Sequence, residues 1–290
     1  MKQLSHVVEY VCLRILELVI TVLPRSLSLR VGAMAGAALY HAGVYRKIVD
    51  RNFDHVDLFH GNERTQIIRR LYRNIGRYAA DMLRGGKPPA YTVENKEGVD
   101  QCLDKGKGMI AVLAHFGNWE FLALFFGRVF SDLNVLARPM HNPLVERWLL
   151  AKRKKASVTQ IYAAGALRKI LVVLKRNGII AMLIDQYSAE QGTPVTFLGK
   201  TANTVRTAAG LVQRTGCGVV LPYALLQKNG TYHVVIEPAP EIAEKSDNEE
   251  AYVSALLKSH NDVISRWIMA YPDHYFGWFH RRFKDVISYS

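Results

Sequence analysis

Four short runs constrain this chain most: MIAVLA (109–114), LNVLA (133–137), IIAMLI (179–184) and GVVLPYALL (218–226), each without a charged residue and separated by stretches of helical spacing. Such runs are too short for core helices, and they do not alternate polar with apolar residues. Strands buried on both faces read this way, and they occur in sheets covered by helices. The expectation is an α/β fold, with a central largely parallel or mixed sheet flanked by helices. YHVVIE (232–237) supplies a further strand and Ala251–Ala270 a late helix, while strand order stays open.

The amino-terminal part follows a different pattern. Val7–Leu23 would form a 17-residue apolar helix interrupted by Glu9, Arg14 and Glu17. That is the lower limit for spanning a bilayer, and the charges suit a helix lying in an interface better. The segment lacks the cleavage end and charge layout of a signal peptide, so it is expected to be retained. After the break at Pro24, Gly32, Ala33, Gly36 and Ala37 offer small residues for close helix packing. Residues 1–45 are therefore expected to be a membrane-associated helical segment, with a soluble helical cap as the alternative. A helix over 64–84 and a boundary at Gly85, Gly86, Pro88 and Pro89 lead into the sheet, so residues 46–290 form the α/β domain with its helical lead-in.

An apolar fraction of 49% excludes general disorder, and a formal net charge of +13 favours an anionic partner. Cys12, Cys102 and Cys217 are too far apart to suggest a metal site or a disulfide framework. The charge is concentrated: Arg147–Arg176 holds nine Lys and Arg residues and no Asp or Glu. Arg147, Lys152, Arg153, Lys154 and Lys155 form its densest part, a solvated face or a dock for an acidic partner or membrane surface. No zinc finger, KH loop or RNA-binding aromatic motif accompanies it, so nucleic acid is not expected.

Chemistry concentrates in GMIAVLAHFGNWEFLALFFG (108–127), where His115 and Glu120 are the only titratable side chains of a nearly uncharged stretch. His115 falls just past a strand, Gly117 permits an unusual turn, and Asn118 can cap the helix that starts at Trp119. A turn that folds the pair together would let Glu120 fix the imidazole tautomer and leave the other nitrogen as a base for a hydroxyl. The alternative is a purely structural His–Glu hydrogen bond. Arg138 ends another strand, suited to placing an anion or to a structural salt bridge. Asn142 caps a helix with Pro143 at its first position. Asp185 follows the 179–184 strand, at an edge that can serve a site or simply bond its own loop. Thr204 is a candidate cap that would bring Arg206 to the next helix's first turn, a position that favours a retained anion. No P-loop, Rossmann fingerprint, nucleophile elbow or metal-ligand motif is present, so no metal is expected.

The ordered set HFGNWE (115–120), RPMHNP (138–143), DQ (185–186), PVTFLGKTANT (194–204) and YFGWFHRRFK (275–284) resembles the bacterial lipid A biosynthesis acyltransferase family, the late lauroyl/myristoyl acyltransferases, over most of the chain. Phosphatidylinositol mannoside acyltransferases are related. The resemblance implies transfer of a fatty acyl group from acyl carrier protein to a hydroxyl of a phosphorylated lipid A precursor, with no bound cofactor. It also implies contact with membrane lipids at the cytoplasmic face of the bacterial inner membrane. His115 and Glu120 fall on the family's catalytic His-x4-Asp/Glu pair and Arg138 on its substrate-placing arginine. Asn118, Asp185 and Arg206 are further candidates for binding substrate, and the 147–155 cations for docking the carrier. Another membrane glycolipid or phospholipid as acceptor, and a non-catalytic basic membrane or nucleic-acid interaction protein, are the alternatives.

Overall fold

The structure, a computed structural model, describes residues 2–84, 88–189, 192–240 and 248–290. Four helices come first: α1 (Lys2–Val22), α2 (Arg25–His41), α3 (Arg46–Val56) and α4 (Gly61–Leu83). The chain then alternates through β1 (Tyr91–Glu94), α5 (Glu97–Leu103), β2 (Met109–Leu113), α6 (Trp119–Val129), β3 (Leu133–Ala137), α7 (Pro143–Lys154), β4 (Val158–Tyr162), α8 (Ala166–Lys175) and β5 (Ile179–Leu183). A hairpin of β6 (Gly192–Phe197) and β7 (Lys200–Val205) follows, then α9 (Thr207–Thr215), β8 (Gly218–Leu226), β9 (Tyr232–Pro238) and α10 (Glu249–Ala270). Of the boundary expected after α4, Gly85 and Gly86 lie outside the described residues.

The sheet has seven strands in the order β1-β9-β8-β2-β5-β3-β4. Five neighbours, from β8 to β4, run parallel; β9 turns back antiparallel to β8, and β1 runs parallel to β9. The sheet is thus mixed but largely parallel. β2 is buried along its whole length, as the uncharged MIAVL run requires, because helices cover the sheet on both sides of it. β2, β5 and β3 are adjacent and parallel, so the residues that follow them emerge at one edge. That edge holds His115, Asp185 and Arg138.

Small residues set the distance between α2 and α4. A Cβ on Gly32 or Gly36 would overlap the carbonyl oxygen of Gly76 or Tyr72 respectively, so the two backbones are in contact. Ala33 and Ala37, expected to share that packing, instead line a groove beside it.

Helix α1 buries Ile20 but leaves most of its apolar residues exposed, and ties two of its carboxylates to α7 and its cap. Glu9 accepts from the Asn142 carboxamide at 2.8 Å, and Glu17 accepts from the Trp148 indole at 3.0 Å and pairs with Lys152 at 3.0 Å. Both carboxylates that interrupt the apolar run are therefore bonded to the protein, Glu17 half-buried and Glu9 exposed. Leu4, Val8, Ile15, Leu18 and Val22 face outward, between 53% and 76% exposed. No helix among the described residues is long and apolar enough to cross a membrane.

Candidate active site

β2 ends at Leu113, and the chain turns through His115-Phe116-Gly117-Asn118 into α6. Gly117 has φ +61°, and a Cβ there would overlap the Ala224 carbonyl of β8, so the turn requires glycine. The Asn118 side chain caps α6 by accepting from Phe121 N at 2.9 Å, as its position before Trp119 predicts. Its amide donates to the Tyr232 hydroxyl at 2.7 Å, and that hydroxyl donates to Asp81, which Arg25 holds with two bonds. Both ends of the buried Asn118 carboxamide are thus bonded within the protein, and the residue acts in the turn's structure.

The carboxylate beside His115 is Asp185, not Glu120. Register carries this directly: Leu113 pairs with Leu183, so the residues two further on lie side by side. Asp185 Oδ1 accepts from His115 Nδ1 at 2.8 Å, and Asp185 Oδ2 accepts from the His115 backbone N–H at 2.9 Å. Burial raises the Asp185 carboxyl, but the imidazole's charge and these hydrogen bonds outweigh it and hold the group down at about 2. Asp185 is thus an ionised, buried acceptor that fixes the tautomer with the proton on Nδ1. The other nitrogen, His115 Nε2, lies 3.3 Å from the Gln186 amide nitrogen, which also lies 3.2 Å from His280 Nε2. An amide NH2 has two protons, so Gln186 can donate to both rings. Trp119 and His280 stand edge-on to His115, with ring centroids at 5.1 and 4.8 Å.

Glu120 is buried on α6 and accepts two bonds from Arg153 of α7, at 2.9 and 2.8 Å. Arg153 also bonds Gln160, whose amide reaches Glu146. The expected His115–Glu120 hydrogen bond is replaced because the second residue of a helix starting at Trp119 points toward α7. The same pair removes Arg153 from the candidate carrier dock. Lys152 leaves it too, since its ammonium bonds Glu17 and the Met82 and Leu83 carbonyls. Burial shifts that lysine's pKa down, against the raising effect of Glu17. Arg147, Lys154 and Lys155 remain exposed.

Arg138 is exposed past β3, two strands from β2, and has no polar partner among the described residues. Arg206 lies outside this cluster, paired with Glu250 of α10 at 2.6 Å. Thr204 belongs to β7 and does not cap α9; its hydroxyl accepts from Arg282 at 2.7 Å.

Backbone donors in the turn are spent on the fold: Gly117 N bonds His274 O at 2.9 Å and Asn118 N bonds Ala224 O at 2.8 Å. Both are unavailable to a developing oxyanion. The carboxy-terminal segment braces the same turn, with Phe276 N donating to His115 O at 2.6 Å and an isolated bridge between Phe116 and Tyr275. Buried Arg282 bonds the Asn203 carbonyl at 2.6 Å and the Gln186 carbonyl at 3.4 Å. His280 and Arg282 are site residues that sequence reasoning reaches only through the closing WFHRRF segment. No group of three His, Cys, Asp or Glu side chains among the described residues could hold a metal ion.

A histidine at the carboxyl edge of a largely parallel sheet, with one nitrogen held by an ionised buried carboxylate and the other beside a half-buried amide donor, is an arrangement that can make a hydroxyl nucleophilic. The chain belongs to the bacterial lipid A biosynthesis acyltransferase family, whose model matches residues 2–285. Membership makes it an acyltransferase and ties it to lipid A biosynthesis. No curated protein matches the chain.

Proposed function

We propose that the protein transfers a fatty acyl chain from an acyl carrier protein thioester to a hydroxyl of a phosphorylated lipid A precursor, with His115 as the base and Asp185 as its orienting carboxylate. The observation that carries this reading is the pair of hydrogen bonds that His115 donates to Asp185, which leaves Nε2 as the basic nitrogen. The acceptor hydroxyl takes the place of the Gln186 donor at Nε2. As its oxygen attacks the thioester carbonyl, the O–H proton passes to Nε2, and Asp185 stabilises the imidazolium. The carbonyl electron pair collects on oxygen, and Arg138, an exposed cation of this edge with no polar partner among the described residues, supplies the counter-charge. Collapse re-forms the carbonyl, breaks the C–S bond and expels the thiolate, which takes the proton back from His115. The products are the ester and the free carrier thiol, and the imidazole is neutral again.

The outward apolar face of α1 supports seating on the cytoplasmic face of the inner membrane, where the lipid acceptor lies. Arg147, Lys154 and Lys155 supply an exposed positive face for the acidic carrier. Neither role requires α1 to span the bilayer.

Incubation of purified protein with acyl carrier thioesters and lipid A precursors, followed by product mass, tests the reading. One acyl increment on the lipid, lost in His115→Ala, is expected. Thioester left intact across the panel, or transfer undiminished in folded His115→Ala, would overturn it.

A further inference from the structure

On another side of the 272–276 segment lies a groove of about 840 Å³, walled by α2, α4 and the β8–β9 turn, with Asp273 and His274 in its lining. Six cationic residues line it against a single carboxylate, Asp273. Three of them have partners within the protein: Arg25 in Asp81, Arg70 in Asp273 at 3.2 Å, and Arg77 in the Asn74 side-chain oxygen at 2.8 Å. Arg30, Arg73 and Lys228 are exposed and have no polar partner among the described residues. They stand on three different walls, so a ligand that enters meets unneutralised charge from each side.

The α2 wall is different in kind. Beside its arginines it presents Leu29, Ala33, Met34 and Ala37, and Met34 is 72% exposed. A free phosphate would use the cations and gain nothing from these four residues. An acidic protein surface would meet an apolar wall with no partner for it. An amphiphile uses both, with a phosphate on Arg30, Arg73 and Lys228 and the start of an acyl chain along α2. Leu27 and Leu39 are further exposed apolar residues of α2, and α1, with its outward apolar face, packs against α2 and α4. An apolar surface beside a basic one is the pairing that binds an anionic bilayer.

We propose that this groove is a binding site for the phosphate headgroup of an anionic membrane phospholipid, separate from the site of acyl transfer. The inference does not depend on the acyl-transfer reading, because membrane partition can be measured with no thioester present. The groove also adjoins the catalytic turn through one bond, since the residue in its lining, His274, accepts from Gly117 N at 2.9 Å.

The test is flotation of full-length protein with vesicles of phosphatidylcholine alone or containing phosphatidylglycerol. Arg30→Ala/Arg73→Ala/Lys228→Ala should lower partition into the phosphatidylglycerol vesicles by roughly a hundred-fold and leave neutral vesicles little changed. Arg147→Ala/Lys154→Ala/Lys155→Ala removes the same charge outside the groove and should cost far less. Unchanged partition of the groove variant would overturn the proposal, as would equal losses in the two variants, which a general positive field would produce. Groove-variant binding that stays intact on vesicles while cross-linking to the acyl carrier protein is lost would also overturn it, by assigning the groove to the carrier. Because the three side chains are exposed and unpaired, the variant keeps its fold, and an unchanged melting temperature verifies that.

Discussion

Asp185 holds His115 by ring and backbone at once, although seventy positions separate them in sequence. The ring bond sets the tautomer; the backbone bond fixes the turn that carries the ring. Asp185→Asn should keep the shape and reverse the sense of the ring bond, because a carboxamide can donate where the carboxylate only accepts. The expected loss is roughly 10³–10⁴-fold in kcat with little change in KM, the scale seen when a catalytic histidine loses its orienting carboxylate. Steady-state kinetics on protein of verified melting temperature checks it, and a variant with kcat near wild type would remove Asp185 from the mechanism.

Glu120 should separate from His115 in the opposite way. It is the buried partner of Arg153, so Glu120→Ala strands a guanidinium between α6 and α7, at a cost of about 3–5 kcal/mol. Glu120→Ala/Arg153→Met removes both charges and should recover much of that stability. Thermal or urea unfolding of the single and double variants measures the recovery. Transfer by the folded double variant should remain within about ten-fold of wild type, because neither side chain bonds His115. Loss of kcat on the His115→Ala scale in the restabilised protein would return Glu120 to the catalytic machinery.

How much of this was legible in the sequence depends on what each residue faces. β2, β3, β5 and β8 are readable because burial on both faces leaves uncharged runs, and Asn118 and Asn142 are readable because capping is a local property. β4 is an edge strand with the mixed pattern VTQIY, and β6 and β7 form a half-exposed hairpin, so their composition does not separate them from loops. His115 and Asp185 both stand out as polar residues after apolar strands. Their contact depends on β5 lying between β2 and β3, an order that no local pattern encodes. Nearness in sequence points instead to Glu120, and the start of α6 directs that residue away. Family resemblance supplies the His-x4-Glu spacing but not the partner of each charge, and the same holds for Lys152 and Arg153, whose charge is visible while their internal partners are not.

The α2–α4 crossing predicts a stability effect far from the chemistry. A methyl group on Gly36 would overlap the Tyr72 carbonyl, and backbone cannot rotate aside as a side chain can. Gly36→Ala should destabilise by about 1–3 kcal/mol despite alanine's better helix propensity, lowering the melting temperature. Gly210→Ala on α9, where nothing lies within 4 Å of the added carbon, is the matched control and should be neutral or slightly stabilising. Equal melting temperatures for the two variants would mean that the helices are not in backbone contact.

His260 predicts how the fold responds to acid. It is fully buried on α10, and neither ring nitrogen has a hydrogen-bond partner among the described residues. Burial holds its pKa down at about 4, below the usual 6.5, so the unfolded chain takes up a proton that the folded chain refuses. Proton uptake by the unfolded state favours unfolding, so stability falls as pH drops from about 6.5 toward about 4 and is unaffected by this group above that window. The full difference is about 3 kcal/mol. Asp185 acts in a separate range: its folded pKa of about 2 lies below the usual 3.8, and its contribution is lost only as pH falls from there toward 2. Burial also lowers His274 and His280, so the wild-type curve sums several histidines and the comparison must be by difference. His260→Leu should flatten urea-unfolding stability between pH 6.5 and 4 relative to wild type, leaving the steeper fall below pH 4 in place. Parallel curves for the two proteins across that interval would show that His260 is protonated in the folded state, and with it that the buried ring has a partner.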